Sequence, residues 1–106
     1  MKLWLSGIKQ TLVSANWMND NLDKQQQLMV ITMEECAELQ VACSKILRQG
    51  TKVTEEKLKD LTEELGDVYC MIQLMHEHGF VESKDLNERV QVKKQKLEKW
   101  SDLVGR

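Results

Sequence analysis

From about Asp20 to Arg48 the chain keeps a 3.6-residue apolar rhythm that no glycine or proline interrupts, and this run most narrows the folds open to it. Leu28, Ile31, Leu39, Ala42, Cys43, Ile46 and Leu47 mark a continuous arc on one long helix, which Gly50 stops. A second run begins after Thr54, a good N-cap with Glu55 and Glu56 in the first turn, and ends near His78 at Gly79. Its arc comprises Leu58, Leu61, Leu65, Val68, Met71, Ile72, Leu74 and Met75. Leu5, Ile8, Leu12 and Ala15 predict a shorter helix near residues 3–18, and Asn19, Asp20 and Asn21 offer a break and an N-cap. Ser83 caps a fourth helix through Leu86, Val90, Leu97, Trp100 and Val104. The expectation is an all-α, four-helix bundle, a single domain over residues 1–106, with the second and third helices as a long antiparallel pair.

Composition removes several classes of function. Without proline, and with 42% hydrophobic and 30% charged residues, the chain reads as a folded helical protein, not a disordered one. A net charge of −2 argues against a broad nucleic-acid surface, so no nucleic-acid partner is expected. No apolar run approaches membrane length, and polar residues follow Met1–Leu5 too soon for a signal sequence. Cys36, Cys43 and Cys70 lack any CxxC spacing and read as buried, reduced thiols. Together these features predict a cytoplasmic protein with no membrane partner. Both long apolar arcs are broader than one neighbouring helix covers, which predicts self-association.

Carboxylates break the apolar arcs in two matching places. Glu35 falls inside the first arc between Ala42 and Ile46, Glu38 falls at its edge, and Glu34 projects just off it. On the next helix Glu64 projects between Met71 and Met75, and Asp67 between Met71 and Leu74. Residues at i and i+3 share a helix face, so each pair forms a two-pronged oxygen claw. Carboxylates are seldom buried unless paired or bound to metal. Four of them facing one another call for a cation, and an all-oxygen set suits Mg²⁺, with Mn²⁺ as a substitute. Lys93 breaks the stripe of the fourth helix, with Lys96 one turn on and Arg89 one turn before. The bland reading of Lys93 is a buried stem with its ammonium in water; the functional one is a cationic edge for phosphate.

Three kinds of protein meet this description. A di-iron bundle would carry Glu-x-x-His pairs, but the third residue after Glu34, Glu35 and Glu64 is Ala37, Glu38 and Asp67. A non-catalytic bundle for oligomerisation or partner binding explains the periodicity and leaves the inward acids unexplained. Metal-dependent chemistry on a phosphate ester or anhydride uses both features.

Glu34-Glu35-x-x-Glu38 followed by Glu64-x-x-Asp67 resembles the EExxE and ExxD motifs of the MazG-like all-α nucleoside triphosphate pyrophosphohydrolases. The likeness runs from about Leu22 to Leu103, and Glu64-Leu65-Gly66-Asp67-Val68 resembles the second motif down to its glycine. The resemblance implies cleavage of a nucleoside triphosphate between the α and β phosphates, giving monophosphate and pyrophosphate. It implies Glu35, Glu38, Glu64 and Asp67 as Mg²⁺ ligands, with Glu34 as an outer carboxylate that orients or deprotonates water. Lys93 and Lys96 resemble the family's phosphate-binding segment, although the asparagine often found there is absent near Gln95. A homo-dimer or homo-tetramer is implied as well. The residues that read the base do not follow from the motifs. Lys24 and Gln27, on a similar side of the helix to Glu35, and Trp17, as a stacking ring, are the expectations.

Overall fold

The computed structural model describes residues 17–105. Among them are four helices and no strand: α1 (Trp17–Asn21), α2 (Lys24–Gln49), α3 (Glu55–Glu77) and α4 (Ser83–Trp100). The helix expected near residues 3–18 lies outside the described residues except for its last two positions, which belong to α1. Two compact units divide the chain, Met1–Leu74 and Met75–Arg106. Among the described residues no helix is long and apolar enough to cross a membrane.

In the first unit, α2 starts at Lys24, four residues beyond the Asp20 start that the sequence suggests. Asn19, Asp20 and Asn21 are themselves helical, and the cap is Asp23. Its carboxylate accepts from the Gln26 amide at 2.7 Å, while the Gln26 side chain accepts from the Asp23 amide at 3.0 Å. This reciprocal box satisfies two orphan donors at once. Gln27 Nε2 also donates to the Leu22 carbonyl at 2.9 Å, tying α2 back to the end of α1. At the other end Gly50 has φ +69°, the left-handed region a glycine enters without strain, and its amide bonds the Leu47 carbonyl. Thr54 caps α3 as expected, its hydroxyl accepting from the Lys57 amide at 3.2 Å. With only residues 50–54 between them, α2 and α3 run antiparallel and bring Glu35 and Glu38 level with Glu64 and Asp67.

The apolar core among the described residues is small: Met18, Leu28, Ala42 and Met71 are buried. Several residues of the predicted arcs are not. Cys43, Leu47, Leu58, Leu65 and Ile72 are exposed, and all three cysteines are exposed free thiols. The expectation of buried thiols is therefore corrected. Periodicity reports where apolar residues lie on a helix but not whether anything within the chain covers them.

In the second unit, α3 ends in paired bonds from Gly79 to the His76 carbonyl and from Phe80 to the Met75 carbonyl, with Gly79 at φ +79°. His76 Nδ1 lies 3.0 Å from the Val81 carbonyl. The cap of α4 is Glu82, without a side-chain bond, and Ser83 is the first helical residue, not the cap. This helix stops at Trp100, so Val104 lies beyond the stripe assigned to it, and α4 buries none of its residues.

Candidate metal centre

Four carboxylates converge where α2 and α3 face each other. One oxygen from each of Glu35, Glu38, Glu64 and Asp67 can be chosen so that all four lie within 4.8 Å of one another. The helix supplies the spacing: i and i+3 place each pair on one face, and the short connection sets the pairs at one level. Glu38 and Glu64 are 4% and 3% exposed and Glu35 is buried as well, whereas Asp67 is exposed. The cluster thus joins three buried carboxylates to one that faces solvent.

Size bears on which ion fits. Opposite ligands of Mg²⁺ stand about 4.2 Å apart and those of Ca²⁺ about 4.6–5.2 Å, twice the usual metal–oxygen distances. A spread of up to 4.8 Å admits a hard divalent cation of this range, with slight closure for Mg²⁺. All four donors are oxygen, so the set does not select softer metals that favour imidazole or thiolate. Neither His76 nor His78 belongs to the group, nor does any of the three cysteines.

The remaining expected site residues are placed as follows. Glu34 is buried on α2 beside Glu35 but is not one of the four grouped carboxylates. Lys24 is exposed as the first residue of α2, and Gln27 is half-buried with its amide nitrogen engaged by Leu22. That bond gives Gln27 a structural task at the α1–α2 junction. Trp17 opens α1, and its side chain lies outside the described residues. Lys93 and Lys96 are exposed on α4 in the second unit. The hydroxyls of Thr32 and Thr62, near the two claws, bond the carbonyls of Leu28 and Leu58 in their own helices at 2.7 and 2.9 Å.

What fold and site define, among the described residues, is an all-helical arrangement with a cluster of four carboxylates able to hold a metal ion. No protein-family model, curated protein sequence or solved structure matches the chain.

Proposed function

We propose that this protein hydrolyses a nucleoside or deoxynucleoside triphosphate to the monophosphate and pyrophosphate, with Mg²⁺ or Mn²⁺ held by Glu35, Glu38, Glu64 and Asp67. The observation that carries the reading is the convergence of these four carboxylates, three buried and one open to solvent, on facing helices. A bound divalent ion would neutralise phosphate oxygens and lower the pKa of bound water. The chain's own groups do the rest. Three buried acids fix the ion's position, exposed Asp67 leaves an approach for the triphosphate, and Glu34 is the carboxylate assigned to orient or deprotonate water. Lys93 and Lys96 are assigned to phosphate, and Trp17, Lys24 and Gln27 to the base. The working form is a cytoplasmic homo-dimer or homo-tetramer, supported by exposed apolar residues such as Met33, Leu47 and Tyr69.

Those exposed residues also favour a second reading, a non-catalytic bundle that binds a helical partner. A pyrophosphate-release panel of common and damaged triphosphates, with and without Mg²⁺, separates the two. Metal-dependent release from at least one triphosphate is expected. No release from any of them, in a protein that still binds Mg²⁺, would leave the binding module standing.

A further inference from the structure

The register that brings the four carboxylates together also sets two lysines at one level. Glu35 and Glu38 stand level with Glu64 and Asp67 on antiparallel helices, so equal steps along both toward residues 50–54 stay level. Seven residues on from Glu38 is Lys45, and seven back from Glu64 is Lys57. Seven residues make two turns and return to the same face, about 10 Å along the axis. Burial picks out the same pair independently. Among the described residues every lysine and arginine is exposed except Lys45 and Lys57, which are half-buried. The level between them and the carboxylates is taken by Ala42 and Asp60, so no bulky side chain stands between on these two faces.

Both lysines reach toward the carboxylates. Helical side chains lean toward the N-terminus of their own helix, which on α2 tilts Lys45 toward Glu38. On α3 the same rule would tilt Lys57 away from Glu64, yet its ammonium lies 4.0 Å from an oxygen of Asp60, one turn nearer Glu64. That pair is partly exposed and worth little by itself. Lys45 makes no ion pair among the described residues, although a half-buried ammonium favours an anion beside it. Beyond the carboxylates in the other direction, the same two faces carry Leu28, Ile31, Met71 and Leu74, of which Leu28 and Met71 are buried. The seam between α2 and α3 is therefore cationic at one end and apolar at the other. A nucleoside triphosphate has the same polarity, with an anionic chain at one end and a base at the other.

We infer that Lys45 and Lys57 bind the two phosphates that leave as pyrophosphate, so that the phosphate chain runs from the cation toward residues 50–54 and the nucleoside points the other way. This rests on the reading of the carboxylates as the cation site of a triphosphate hydrolase, and adds to it two binding residues and a direction. Each lysine serves as a point charge for phosphate. Equilibrium dialysis of the full chain against labelled pyrophosphate at saturating Mg²⁺ tests it without turnover. Lys45→Met and Lys57→Met keep the stem and remove the charge, and each should weaken pyrophosphate binding about tenfold or more. Their melting temperatures in Mg²⁺ alone should stay close to that of the original chain. Lys59→Met removes the same charge from an exposed position on the same helix and should change little. Asp60→Asn removes an anion from the path and should tighten binding; it decides the matter if a lysine variant melts early. Unchanged affinity in both lysine variants would overturn the inference. An equal loss in Lys59→Met, or weaker binding in Asp60→Asn, would overturn it too. Mg²⁺-dependent hydrolysis alongside pyrophosphate binding that ignores both lysines would remove this inference alone. A chain that binds neither Mg²⁺ nor pyrophosphate would remove the hydrolase reading with it.

Discussion

At the scale of single residues, the proposed cation site sets folding energy against ligand capacity. Like charges held within 4.8 Å repel, and burial of Glu35, Glu38 and Glu64 weakens the screening that water would provide. Replacing one by its amide keeps the shape and removes one charge. Glu38→Gln or Asp67→Asn should leave the metal-free protein as stable as the original or more so, by on the order of 1 kcal/mol. The same changes should remove most hydrolysis, because a lost ligand weakens both phosphate neutralisation and water activation. Chemical denaturation without metal, paired with pyrophosphate release, checks both halves. If the amides destabilise, the carboxylates serve the fold instead. Gly66 makes an opposite trade: with open space around it, Gly66→Ala should stabilise the isolated helix by about 1 kcal/mol. Its melting temperature at low protein concentration should rise, and a fall would mean that the site is crowded after all.

At the scale of elements, the existence of α2, α3 and α4 was legible in the sequence because their apolar periodicity is long, and α2 and α3 also stop at glycines of positive φ. Their starts were less so. Asn19, Asp20, Asn21 and Asp23 are all good caps, and only the reciprocal bonds with Gln26 single out Asp23. Asp23→Ala should cost about 1 kcal/mol in thermal or chemical denaturation, while Asn19→Ala should cost little. Equal losses at the two positions would mean that the box carries no energy of its own. The inward phase of Glu35, Glu38 and Glu64 was legible too, since each interrupts an apolar arc. Asp67 was read as inward and is exposed, because the α3 arc is too broad to tell a covered edge from an open one. Lys93 is exposed on α4, where two readings of it diverge in outcome. If it contacts phosphate, Lys93→Met should raise KM or lower kcat for the triphosphate with helix content unchanged. Unaltered kinetics would leave it a surface lysine whose stem lies along an apolar stripe.

At the scale of the whole molecule, the same two helices answer to two demands. One face brings acids together, and the other presents apolar residues at heptad spacing to solvent. The sequence shows both sets of residues but not their division, since a broad arc looks alike whether its cover is the same chain or another copy. The central claim is that the four carboxylates form a divalent-cation site, and a titration of melting temperature with Mg²⁺ tests it most directly. An ion that binds the folded state and not the unfolded one stabilises by RT ln(1 + [Mg²⁺]/Kd). The melting temperature of the original chain should therefore climb steadily once Mg²⁺ exceeds its Kd, and climb far less in Glu38→Gln and Asp67→Asn. A melting temperature that does not respond to Mg²⁺, or that rises equally in all three proteins, would contradict the account.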